Sequence, residues 1–116
     1  MISREREFFA ELVGLAFGDG SLTKRKNGNL RFQLRGDANE DKPHYLNHIA
    51  PMINHYLVQP LLNKNISFVE AKKPWPSFGV AIESNIVCEF LNNLGIPIGR
   101  KTKLAIPFWI VIISII

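Results

Sequence analysis

The chain has 116 residues, 47% of them apolar, which suits one domain spanning 1–116 with its own packed core. Its formal charge of +4 points to an anionic partner. A single cysteine, Cys88, excludes an intramolecular disulfide framework and suits a reducing compartment, cytoplasmic or organellar.

Ser3 is placed to cap a first helix, with Glu5 and Glu7 in its first turn. Phe8, Phe9, Leu12, Val13, Leu15, Ala16 and Phe17 make this helix apolar nearly all round, so it is buried on more than one side. Ala10, Gly14 and Gly18 form one stripe of small residues, and glycine inside a helix costs about 1 kcal/mol against alanine. Such a stripe admits the close approach of another backbone. The helix ends at Asp19, held between Gly18 and Gly20. A carboxylate at a helix C-terminus opposes the macrodipole and calls for an explanation.

Residues 21–25 and 29–35 read as two strands joined at Asn27-Gly28, a strong hairpin signal. Leu30, Phe32 and Leu34 alternate with Asn29, Arg31, Gln33 and Arg35, so one face packs on a core and the other is polar. Pro43 suits the first turn of a second helix that runs to about Leu57 and is bent or interrupted at Pro51. Residues 65–70 and 77–82 read as another strand pair. Ser84 caps a third helix with Ile86, Val87, Phe90, Leu91 and Leu94 on its apolar face and Gly95 at its end; Cys88 falls inside it as a buried residue.

The apolar run "LAIPFWIVIISII" at residues 104–116 is shorter than the roughly 20 apolar residues of a spanning helix, so a membrane partner is not expected. It reads as an altered or truncated end that packs on the core or on a partner. No basic-then-apolar leader opens the chain, which points away from secretion.

Three features converge. The segment "LVGLAFGDGS" resembles the signature of the LAGLIDADG homing endonucleases, with Leu12, Gly14, Leu15, Asp19 and Gly20 at the matching places. The αββαββα order resembles that family, and so does "FLNNLGIPIGRKTKLAIPFWI" at residues 90–110. The family has an acidic residue where this chain has Phe17, a position that varies among its active members. The resemblance implies an α+β fold with an antiparallel β saddle. It also implies a site-specific DNA endonuclease that makes Mg²⁺- or Mn²⁺-dependent double-strand breaks in a long pseudo-palindromic target, in intron or intein homing. A non-cleaving DNA-binding regulator or an RNA maturase would share the fold.

By the same resemblance, Asp19 is the catalytic, metal-binding carboxylate, and the Gly18 carbonyl helps hold the ion. Ala10, Gly14, Leu15 and Gly18 form a homodimer interface, which brings two Asp19 side chains together. Divalent ions would then relieve the repulsion between them. Lys101, with Lys103 second, stabilises charge on the phosphate; Arg100 joins them in a basic cluster that equally reads as a solubilising charge run. One copy of the signature is present, so the chain pairs with itself or is half of a larger protein.

Double-stranded DNA would meet the polar face of the hairpin. Arg31 and Arg35 suit guanine, Asn29 and Gln33 suit adenine, and Lys24, Arg25 and Lys26 suit phosphates. A solvated sheet face alternates in the same way. His44, His48 and His55 share a helical face, but the H-E-x-x-H glutamate is missing from "HYLNH". Trp75, between Pro74 and Pro76, reads as a loop anchor, and Trp109 as a core or stacking residue.

Overall fold

Ser3 caps α1 (Arg4–Asp19) by accepting a hydrogen bond from the Arg6 amide at 3.2 Å. These coordinates are a computed structural model, and it describes residues 3–73 and 75–99. Helix α1 buries Phe8, Phe9, Leu12, Val13 and Ala16. The chain passes from α1 into β1 (Gly20–Lys24) with no loop between them. Gly20 makes this possible, because a Cβ there would lie 2.8 Å from the Ala16 Cα.

β1 pairs with β2 (Leu30–Asp37) through a turn in which the Gly28 amide donates to the Arg25 carbonyl. Gly28 has φ 89°, the left-handed conformation that such a hairpin exit requires. The Asn27 side chain accepts from the Asn29 amide at 2.9 Å and tightens the tip.

Five consecutive helical segments then form one continuous element, α2, over residues 42–62. Of the bend or interruption expected at Pro51, the interruption does not occur, and the helix passes Leu57, where it was expected to end. A proline inside an α-helix lacks a donor and clashes with the carbonyl four residues back. Here two wider π-turns, Tyr45–Ile49 and Asn54–Val58, precede Pro51 and Pro60. The amides of Ala50 and Gln59, each just before a proline, donate five residues back, to Tyr45 and Asn54. The left-handed Asn63, at φ 54°, ends the helix.

The Asn54 side chain pins the following loop by bonding both backbone groups of Ile66, at 2.8 and 3.0 Å. β3 (Val69–Ala71) is shorter than expected, and residues 65–68 lie outside it. β4 (Ser77–Ile82) follows. Ser84 caps α3 (Asn85–Leu94), which ends at the left-handed Gly95 as its sequence signals.

The strands form one antiparallel sheet in the order β1-β2-β4-β3. Its inner face carries Leu22, Phe32, Leu34, Val80 and Ile82, all buried against α1, α2 and α3. Each such side chain contributes about 1.5–3 kcal/mol by leaving water. Cys88 is buried in that core. Beyond α3 the chain returns to the free edge of β1, where the Gly99 amide donates to the Leu22 carbonyl at 2.7 Å. No helix of the described residues is long and apolar enough to cross a membrane.

Candidate nucleic-acid interface and carboxylate site

Asp19 is exposed at the C-terminus of α1. No basic residue stands in that last turn to offset the helix dipole. The direct passage into β1 puts the carboxylate on the rim of the sheet, beside the polar outer face. That rim opens into a groove of about 480 Å³. Gly18, Asp19, Gly20 and Ser21 form one wall, Gln33 and Arg35 the floor, and Ala71, Lys73, Trp75 and Ser77 the far wall. The register explains the grouping: Gly20 faces Leu34 on β2, Asp37 faces Ser77 on β4, and Ser77 faces Ala71 on β3.

A side chain from α2 reaches Asp19 from beneath. The Tyr45 hydroxyl donates to Asp19 Oδ2 at 3.3 Å. Tyr45 is buried, and burial together with the charges of Asp19 and Asp41 pushes its phenol far above the ordinary range. Its ring fits because residue 36 is glycine: a Cβ there would meet Asp41 Oδ2 at 2.6 Å and Tyr45 Cε2 at 2.8 Å. The sequence reading missed Tyr45. The available signal was its place on the apolar stripe with Ile49, Ile53 and Leu57, where a buried phenol must find a partner.

Asp37, at the end of β2, belongs to the backbone. Its Oδ1 accepts from the amides of Asn39 at 2.8 Å and Glu40 at 2.9 Å, which holds its carboxyl below the usual range. Asp41 Oδ2 accepts from the Asp37 amide at 2.7 Å.

The polar residues expected to meet DNA stand on the outer face. Arg31, Gln33 and Arg35 are half-buried there, and Lys24, Lys26 and Asn29 are exposed. Arg35 is not a free reader. Its Nε donates to Ser77 Oγ at 2.9 Å and one terminal nitrogen donates to the Val69 carbonyl at 2.9 Å, so it lies along the sheet. Gly79 opposite leaves the room, since a Cβ there would meet Arg35 Cγ at 2.9 Å. Arg25 is paired with Glu83. Arg31 lies with Thr23, Lys24, Arg25, Lys26 and Asn27 around a hollow at the hairpin, its Nε buried without a hydrogen-bond partner among the described residues.

Gly14 and Gly18 are exposed, and a Cβ at either would meet nothing within 4 Å. Ala10 and Leu15 beside them are half-buried. The small-residue stripe of α1 is therefore uncovered within the described chain. The three histidines do not gather. His48 and His44 both face Glu11, at 2.8 and 3.5 Å, whereas His55 packs on Tyr56. Among the described residues, no group of three or more His, Cys, Asp or Glu could hold a metal ion. Trp75 is no anchor: it is 46% exposed on the groove wall. Arg100, Lys101, Lys103, Trp109 and the apolar run at 104–116 lie outside the described residues.

No protein-family model matches the chain, and no curated protein matches it. Solved structures do. Mesophilic variants of the homing endonuclease I-DmoI superpose with a TM-score of 0.60 at 17% identity, over 79% of this chain and 47% of theirs. A variant of I-DmoI bound to its target DNA, nicked in the coding strand with manganese present, gives 0.57 at 19% identity, over 79% of this chain and 50% of that one. The chain has the fold of the LAGLIDADG homing endonucleases, a DNA-endonuclease fold. It spans about half the length of the I-DmoI chains that it matches.

Proposed function

We propose that the protein is a site-specific DNA endonuclease acting as a homodimer through α1. One observation carries this reading: the glycine stripe of α1, uncovered among the described residues, ends at an exposed carboxylate on the rim of a groove that also holds Arg35 and Lys73. The stripe of Ala10, Gly14, Leu15 and Gly18 lets a second copy of α1 approach to backbone contact. Two Asp19 side chains then meet at the two-fold axis. The half-length match to I-DmoI fits a second copy supplying the missing half.

Asp19 and the Gly18 carbonyl are hard oxygen donors, the set that Mg²⁺ or Mn²⁺ takes. Among the described residues Asp19 is the one carboxylate that lines the groove, and a second protomer would supply the other. A bound divalent ion supplies an activated water and charge stabilisation for phosphodiester hydrolysis. The protein's own groups do the rest. Tyr45 holds one oxygen of Asp19 and fixes the carboxylate's direction. Arg31, Gln33 and Asn29 face the base edges. Lys24 and Lys26 neutralise phosphates and set the register on the duplex. Lys101, or Lys103, stabilises charge on the scissile phosphate.

The test is cleavage of a random duplex library in Mg²⁺ by the wild type and by Asp19→Ala. The expected result is double-strand breaks by the wild type only, with equal DNA binding by both. Cleavage by the Ala variant would refute the role of Asp19.

A further inference from the structure

The far wall of the groove beside Asp19 is built by Ala71 at the end of β3, Ser77 at the start of β4, and Lys73 and Trp75 between them, at the sheet end that also carries Asp19. Two exposed side chains of that turn face the groove: Lys73 and Trp75. Elsewhere on the surface, Arg25 and Lys42 are matched with Glu83 and Glu70. Lys73 has no carboxylate within ion-pair distance among the described residues. Among the described residues, Trp75 is the one aromatic of the exposed large apolar side chains, at 46%, and it stacks on no ring. An uncompensated ammonium beside an open indole, across a groove floored by Gln33 and Arg35, matches a nucleic-acid strand: phosphate for the cation, a flat sugar or base face for the ring.

We infer that Lys73 and Trp75 clamp the DNA strand that crosses the groove from Asp19, Lys73 on a phosphate and Trp75 against the neighbouring deoxyribose. This rests on the reading of the groove as a DNA site. The clamp lies in the β3–β4 turn and so adds contacts beyond the hairpin of β1 and β2. Trp75 contributes apolar contact that salt does not screen, whereas Lys73 contributes counterion release.

The experiment uses the full chain, a mixed-sequence duplex and Ca²⁺ in place of Mg²⁺, with binding measured by fluorescence anisotropy across a salt series. Trp109→Phe leaves Trp75 as the sole tryptophan, because the chain has 2. The expected results are quenching of Trp75 emission on DNA binding, a salt slope smaller by about 2 in Lys73→Gln (about 1 for each protomer's lysine), and about tenfold weaker binding with an unchanged slope in Trp75→Ala. Both residues are exposed, so matched thermal midpoints confirm folding. Wild-type binding with unquenched Trp75, and variants equal to wild type in affinity and slope, would overturn the clamp and leave the DNA reading standing. No duplex binding by the wild type would overturn both.

Discussion

Asp19 is a carboxylate at a helix C-terminus, where the macrodipole disfavours it. Gly20 keeps it there by letting strand follow helix at once, and Tyr45 holds it from below. Tyr45→Phe removes that hydroxyl and keeps the ring. The expected cost is about 1 kcal/mol of stability, read by thermal or urea unfolding, together with weaker divalent-ion binding by calorimetry. Unchanged ion binding would remove Tyr45 from the site. Gly36→Ala drives a methyl into Asp41 and Tyr45 and should cost about 1–3 kcal/mol. The carboxylate was legible in the sequence because its signature is local. Tyr45 was not, because its partner lies across the fold and no spacing rule joins residues of α1 to residues of α2. Arg35 shows the same limit: alternation put it on the outer face, but Ser77 and the Val69 carbonyl decide what it binds.

At the scale of elements, α1 has two uses for its faces. Phe8, Phe9, Leu12, Val13 and Ala16 pack inward, while Gly14 and Gly18 stay open among the described residues. Gly14→Ala therefore separates two effects. The isolated chain should gain up to about 1 kcal/mol in unfolding from better helix propensity, because the methyl meets nothing within 4 Å among the described residues. The dimer should weaken, as read by sedimentation. Stability and association falling together would mean that the stripe is already covered within one chain. Helix α2 was only half legible. Proline rules predicted a bend or an interruption at Pro51; the π-turns before Pro51 and Pro60 carry the helix through to Leu62. The loop leading into α2 depends on the Asp37 carboxylate. Its folded pKa is lowered from 3.8, so its contribution is present above that value and is lost as pH falls through the lower, folded one. Asp37→Asn should thus be less stable than wild type at neutral pH, and the gap should close in acid.

At the scale of the molecule, helix and strand order, caps and hairpin were legible because periodicity and turn chemistry act over a few residues. The groove was not, because its lining comes from α1, all four strands and the β3–β4 turn, which only the sheet order β1-β2-β4-β3 assembles. The central claim is that two copies meet along α1 and place paired carboxylates over DNA. Recovering the sites that the wild type cuts from a random duplex library in Mg²⁺ tests it most directly. The account predicts breaks in both strands within a consensus of two-fold symmetry. No cutting above the Asp19→Ala background, or a consensus without that symmetry, would contradict it.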